Sequence, residues 1–306
     1  YKIYQIYEQF AFPPRLKGIN LFHSPHYNFP VLYKGKTVVT VHDIIHILYP
    51  FELRSKIAKL YSEFMFRQLK KKVHKIITDS ESTKNDLVRY FKFKPERIKV
   101  IHIGVDPFFR VLEDRAPVEE FKKNLNVEGY LLMFVGLNKY HKNIRALLEL
   151  GKRLKKRKVS FTLLLAGIKT NQELILKNAH DLGISDNIRV IPYLDDMEML
   201  YAYNAADLFL LLSLYEGFGL PPLEAMSCGT PALVSNASSL PEVVGEAGVL
   251  VDPKNNDEIE EKAIKLLEDE KLRKGYITKG LEHVKRFSWK KTAIETYHIY
   301  EEVYNG

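Results

Sequence analysis

Short apolar runs alternate along the chain with longer stretches in which apolar residues recur at helical spacing. In the first third, Ile19–Phe22, Lys36–Val41, Lys75–Thr78 and Ile98–Ile101 read as strands, with helices over about 54–72 and 80–91 between them. A second series reads as strands at Tyr130–Val135, Phe161–Ala166, Ile188–Ile191, Leu208–Leu212, Ala232–Val234 and Val249–Val251, with room for a helix in each interval. These strands are apolar almost throughout instead of alternating. That pattern points to an α/β protein whose parallel sheets are covered on both faces. Tyr1–Phe12 reads as an aromatic-rich helix, and Trp289–Val303 as one more helix after the second series. Asp106-Pro107 and the polar stretch Arg110–Glu120 place a boundary near 106–124.

The length of 306 residues fits two domains or one large one. Apolar residues at 46% and charged residues at 27% exclude a collagen-like or wholly disordered chain. The longest apolar runs, Tyr130–Leu137 and Leu208–Tyr215, fall far short of the roughly 18 residues of a membrane span. No basic-then-apolar leader opens the sequence. The lone Cys228 excludes an intrachain disulfide and a multi-cysteine metal site, and fits a reducing, cytoplasmic setting. A doubly wound domain normally opens with a strand and a Gly-rich turn. Neither is present, so the first domain is expected to be incomplete, the chain beginning inside it at Tyr1.

Charge is uneven. Residues 1–110 hold 20 Lys and Arg against 9 Asp and Glu, and the remainder holds 26 against 29, so the net +8 resides in the first third. Such a lobe can face nucleic acid, an anionic membrane or a phosphorylated ligand. No nucleic-acid-binding motif accompanies it, so none of that class is expected as a partner. Leu53–Lys75 is rich in lysine and arginine with Leu, Ile, Tyr, Phe and Met interleaved, which fits a helix with a solvated basic face or one that touches an anionic bilayer. The Lys70-Lys71-Lys72 triplet also suits the negative end of a helix dipole.

The most informative stretch is Leu208–Ser235, in which a strand runs into a loop with Gly217 and Gly219. Pro221 and Pro222 then stand where a helix starts, and Gly229 where it stops. A glycine loop feeding a helix N-terminus suits a phosphate, at the carboxyl end of a parallel strand where open α/β sheets bind ligands. Glu216 and Glu224 bracket the loop with seven residues between them. Carboxylates repel phosphate but accept hydrogen bonds from vicinal hydroxyls. They could equally be a solvated loop residue and a first-turn glutamate favoured by the dipole.

EGFGLPPLEAMSCGTP, beginning at Glu216, resembles the E-x7-E signature of the family-4 retaining glycosyltransferases, which have the GT-B fold. Thr37–Asp43, Thr78–Asp106, Phe134–Asn143, Ser238–Pro253 and Arg286–Trp289 match the same family in order, so the resemblance covers almost the whole chain. Within the family it looks most like bacterial mannosyltransferases of surface-polysaccharide assembly. The resemblance implies two Rossmann-like doubly wound domains facing across a cleft. Residues 1–108 would be the acceptor-side domain, 109–286 the nucleotide-sugar donor domain, and 287–306 a helix returning towards the first.

Residue by residue, the resemblance makes Glu224 the holder of the donor ribose diol and puts Glu216 near the hexose hydroxyls. Gly217 lies in the donor loop, and the amides of Phe218, Gly219 and Leu220 meet sugar and diphosphate. Lys142 would neutralise the leaving diphosphate, and His42 would reach the reacting sugar. Many members carry an arginine just after the Val-Gly; here that position is Leu137, and Lys139 or Arg145 could substitute. The implied reaction moves a hexose, mannose as a first guess, from a nucleotide diphosphate sugar to a saccharide or lipid-linked acceptor with retention, without metal or cofactor. An anionic membrane surface on the inner face is a further implied partner. The alternatives are a catalytically silent nucleotide-sugar-binding scaffold and a basic nucleic-acid-binding protein.

Overall fold

The computed structural model describes residue 9, residues 16–52 and residues 56–306. The helix expected over Tyr1–Phe12 lies outside the described residues, apart from Gln9. Two compact units are present: the described residues up to Gly104 together with Phe287–Gly306, and Val105–Arg286.

The first unit carries a parallel sheet of β1 (Leu21–Ser24), β2 (Lys36–Val41), β3 (Lys75–Thr78) and β4 (Ile98–Val100), in that spatial order. Helices α1 (Ile45–Leu48), α2 (Lys56–Lys72) and α3 (Glu81–Phe91) lie between them along the chain. β2 is buried from Thr37 to Val41, which suits its valines and threonines, β-branched residues that favour a strand covered on both faces. α3 starts where Ser80 accepts the Thr83 amide and stops at Lys92 in the left-handed region, φ 55°.

The strand expected at Ile19–Phe22 sits two residues later. Its polar members His23 and Ser24 hide the strand in the sequence, yet His23 Nε2 bonds Thr40 Oγ1 of β2 at 2.9 Å. Ile19 itself is largely exposed, its carbonyl held by the Tyr33 hydroxyl at 2.6 Å.

The second unit runs α4 (Ala116–Asn124), β5 (Tyr130–Val135), α5 (Ile144–Lys156), β6 (Phe161–Ala166), α6 (Gln172–Asp181), β7 (Ile188–Ile191), α7 (Asp196–Ala205), β8 (Leu208–Leu211), α8 (Leu220–Ser227), β9 (Ala232–Ser235), α9 (Leu240–Val244), β10 (Val249–Val251), α10 (Asn256–Glu268) and α11 (Glu270–His283). Its six parallel strands lie in the order β10-β9-β8-β5-β6-β7. The chain therefore winds outwards from β5 through β6 and β7, then returns to β8 and winds the other way. Between β5 and β8 lies the topological switch point, where the diverging loops leave a crevice at the carboxyl ends of the strands.

The last helix, α12 (Trp289–Asn305), belongs to the first unit. Its Ile299 and Val303 close a core with Val38, Ile77 and Ile101. Ser288 caps it by accepting the Lys291 amide. No helix among the described residues is long and apolar enough to cross a membrane.

Candidate active site

The switch point of the second unit gathers most of the chemistry-bearing residues. Beyond the fully buried β8, the chain loops through Glu216–Gly219 and enters α8. Gly219 has φ +105°, and a Cβ there would meet Leu240 Cδ2 at 2.5 Å, so only glycine fits this turn. Pro221 and Pro222 carry no N–H. Among the first three residues of α8 only Leu220 keeps an amide to offer a ligand.

Two serines after β9 brace the loop. Ser238 Oγ accepts the Glu216 amide at 2.7 Å. Ser239 Oγ donates to the carbonyls of Glu216 and Phe218 at 3.0 and 2.6 Å. Sequence reasoning placed these serines inside a matching stretch but gave them no role.

The loop after β5 is stitched to the same place. Asn143 sits in the left-handed region, φ 54°, and its amide donates to the carbonyls of Leu212 and Pro253, both at 3.0 Å. The Leu214 amide reaches the His141 carbonyl at 2.7 Å. This stitching delivers Lys142 to Glu216: its Nζ donates to Oε1 and Oε2 at 2.7 and 2.9 Å. Both side chains are largely buried. Two residues with separate expected roles thus form one ion pair, a fixed cation beside a carboxylate with lone pairs to spare.

Glu224 faces a different partner. The Tyr203 hydroxyl, at the end of α7, donates to its Oε2 at 2.7 Å. Burial raises the Glu224 carboxyl above the ordinary carboxylate range; the Tyr203 hydrogen bond opposes that shift, and Asp106 adds to it. Tyr203 carried no signal in the sequence beyond an aromatic at helical spacing. Cys228 ends the same helix, and burial followed by the Glu224 charge pushes its thiol up to about 12, so it stays protonated and unreactive.

Lys139 and Arg145, the candidates for the cation absent at Leu137, line a cavity of about 730 Å³ with Tyr140, Leu174 and Lys254. Lys142, Glu216 and the Gly217–Leu220 loop do not line it.

His42 lies in the first unit, after β2. Its Nδ1 bonds Asp79 Oδ2 at 2.6 Å and its Nε2 bonds the Pro25 carbonyl at 2.9 Å. Both partners are acceptors, so the ring satisfies both only as imidazolium. The Asp79 hydrogen bond accordingly raises its pKa. A sugar-reaching role would require Nε2 to leave Pro25. Nearby, burial followed by repulsion from His42 pushes His23 and His26 down to about 4.

The sign of the resulting pH dependence follows. The stabilisation from His42 is present below the unfolded histidine pKa and is lost as pH rises through its higher folded value. His23 and His26 behave oppositely: they fold neutral, and stability falls as pH drops from about 6.5 towards 4. Trp289 is the one tryptophan of the chain and belongs to the first unit, so its fluorescence reports that unit's unfolding. The urea midpoint read this way is expected to fall across that window, and His26→Gln to flatten the fall. A flat wild-type profile would contradict the assignment.

With this geometry in view, the relatives can be placed. The family model described as Glycosyl transferases group 1 matches residues 116–283, and that of Glycosyltransferase Family 4 matches residues 4–108. This chain is a group 1 glycosyltransferase by family. The group 1 chain is 32% identical to O-antigen chain mannosyltransferase B of Escherichia coli over 285 residues, 92% of this chain and 74% of that protein. It is 30% identical to the serotype-specific mannosyltransferase WbdA of the same organism over 268 residues, covering 84% of this chain but 32% of WbdA, about a third of that protein's length.

Among solved structures, sucrose-phosphate synthase from Thermosynechococcus elongatus superposes with TM-score 0.81 at 20% identity, covering 97% of this chain and 77% of that one. Anabaena Alr3699/HepE in complex with UDP superposes with TM-score 0.81 at 16% identity, over 96% and 82%. The fold of this group 1 chain is GT-B: two Rossmann-like parallel-sheet units with helices.

Proposed function

We propose that the chain transfers a hexose, mannose first, from a nucleotide diphosphate sugar to an acceptor hydroxyl with retention of configuration. The observation that carries this reading is the Lys142–Glu216 pair at the switch point, beside the Gly219-capped start of α8. A diphosphate seated on that helix end meets the Leu220 amide and the positive dipole end. Lys142 then stands beside the charge that grows as the diphosphate departs, where a fixed cation stabilises the transition state more than the ground state. Glu216 accepts hexose hydroxyls on its remaining lone pairs, and Glu224 accepts the ribose diol.

The acceptor oxygen attacks the anomeric carbon from the face that the phosphate oxygen leaves. The C–O bond to phosphate breaks, and the acceptor proton passes to that departing oxygen. No protein base is needed, and the fixed ammonium does the neutralising that a metal ion does elsewhere. The mannosyltransferase names of the relatives support the hexose, and the UDP complex of a fold neighbour supports a nucleotide donor.

The test offers GDP-mannose, UDP-glucose and ADP-glucose with saccharide and polyprenyl-linked acceptors, and reads the product's anomeric configuration by NMR. Retained configuration, with activity that survives EDTA, is expected. An inverted product or full loss in EDTA would overturn the mechanism. The matching nucleoside diphosphate at about 100 times its Kd should stabilise the protein by about 2.7 kcal/mol.

A lipid-linked acceptor also gives meaning to α2. Ile57, Leu60 and Phe64 are exposed on it, as are Lys59, Arg67, Lys70 and Lys71. Each cation near an anionic bilayer contributes about 1 kcal/mol. Co-sedimentation with phosphatidylglycerol vesicles is expected, fading with salt; no binding at low salt would remove the membrane from the proposal and leave the transferase reading intact.

A further inference from the structure

We propose that Tyr203 is a positioning residue of the donor site, its buried hydroxyl aiming and holding the Glu224 carboxylate for the ribose. This rests on the reading of Glu224 as the ribose ligand.

The geometry is specific. Tyr203 is fully buried at the end of α7, and its one polar atom donates to Glu224 Oε2 at 2.7 Å. Among the described residues, Oε1 of Glu224 accepts no hydrogen bond, which leaves it for a ligand hydroxyl. A carboxylate on a helix can rotate about its last side-chain bond. A donor fixed on one oxygen stops that rotation and presents the other.

The donor is itself fixed. Phe109 packs edge-on against the Tyr203 ring at 5.5 Å, and Phe209 of β8 lies at 5.9 Å. Next to it, Asn204 accepts the Leu112 amide and donates to the Arg110 carbonyl, at 2.9 and 3.0 Å, so the segment carrying Phe109 is pinned to the same turn of α7. The Thr230 hydroxyl donates to the Tyr203 carbonyl. The phenol therefore has one rotamer and one acceptor, and a buried carboxylate has one donor.

The electrostatics agree. The groups that face Glu224 are Tyr203 on α7, Asp106 on the preceding segment and Cys228 on its own helix, with Arg110 beside Cys228. Of those acting on Glu224, the Tyr203 hydroxyl favours its charged form, while burial and Asp106 oppose it. Without that hydroxyl the carboxyl holds its proton to higher pH and offers a poorer acceptor to the ribose.

The experiment measures Kd for GDP, UDP and ADP, each beside its 2′-deoxy form, on the full chain between about pH 5 and pH 8. Wild type, Tyr203→Phe, Glu224→Gln and Phe109→Leu are compared. For whichever nucleotide binds, Tyr203→Phe is expected to weaken the ribose form by about 5- to 20-fold and barely change the deoxy form. The acid limb of binding moves to higher pH, and at saturating donor kcat is held within about threefold. Phe109→Leu keeps the hydroxyl but frees the ring, and moves the same readouts less; it stands in if Tyr203→Phe does not fold.

If Tyr203→Phe and Phe109→Leu keep both the ribose preference and the pH profile while Glu224→Gln loses the preference, the proposal fails and the role of Glu224 survives. If Glu224→Gln itself keeps the wild-type preference, the underlying reading fails and takes the proposal with it.

Discussion

Lys142→Ala is expected to lower turnover by on the order of 10²-fold or more, with a much smaller loss of donor binding. A preorganised cation acts mainly on the charge that develops as the diphosphate departs. The ion pair adds a second consequence. Removing the ammonium leaves the Glu216 carboxylate buried with its charge uncompensated, and breaking such a pair destabilises by about 3–5 kcal/mol. The two effects separate when the double variant Lys142→Ala/Glu216→Gln, which removes the orphaned charge but not the need for a cation, is set beside Glu216→Gln alone. Thermal stability should recover while turnover stays well below that of Glu216→Gln. If turnover returns with stability, Lys142 is a structural partner of Glu216 and does not act on the leaving group. If Lys142→Ala turns over normally while Lys139→Ala is inactive, the cation has been assigned to the wrong lysine.

Glu224→Ala is expected to weaken nucleoside diphosphate binding by about 10- to 100-fold, the worth of a hydrogen bond to a charged group. It also strands the Tyr203 hydroxyl without its acceptor in a fully buried site. Glu216→Ala should leave diphosphate affinity nearly intact and depress transfer, because its ligand is the hexose and because Lys142 is freed to meet phosphate. Isothermal titration with the diphosphate, beside transfer rates, separates the two carboxylates. Equal losses of diphosphate affinity would end this division of labour.

The strands were readable where burial on both faces leaves a run without polar interruption. Tyr130–Val135, buried from Leu131 to Phe134, has the limits its apolar run predicts. β1 lies two residues beyond its expected place because His23 and Ser24 satisfy their polar atoms on β2, on Tyr300 of α12 and in the adjoining loop, which no apolarity pattern can register. The glycine–proline loop at Glu216 was legible because positive φ and a missing N–H each demand a residue type. The partner of Glu216 was not. Lys142 lies 74 residues away, and only the return of the chain from β7 to β8 sets the two loops side by side. Tyr203 was hidden for a related reason: its ring reads as core, and its hydroxyl gains meaning only from a carboxylate on the next helix.

The placement of α12 bears on the order in which the protein can be built. The sheet formed by β1–β4 is covered by Ile299 and Val303, which the ribosome adds roughly 200 residues after Ile101. At about 5–20 residues per second, Val38, Ile77 and Ile101 wait some 10–40 s for their cover. The unit from Val105 to Arg286 is continuous and can finish its six-stranded sheet in that interval. Synthesis from the N-terminus thus lets the later unit close first, while the earlier one keeps Val38, Ile77 and Ile101 uncovered until α12 is made.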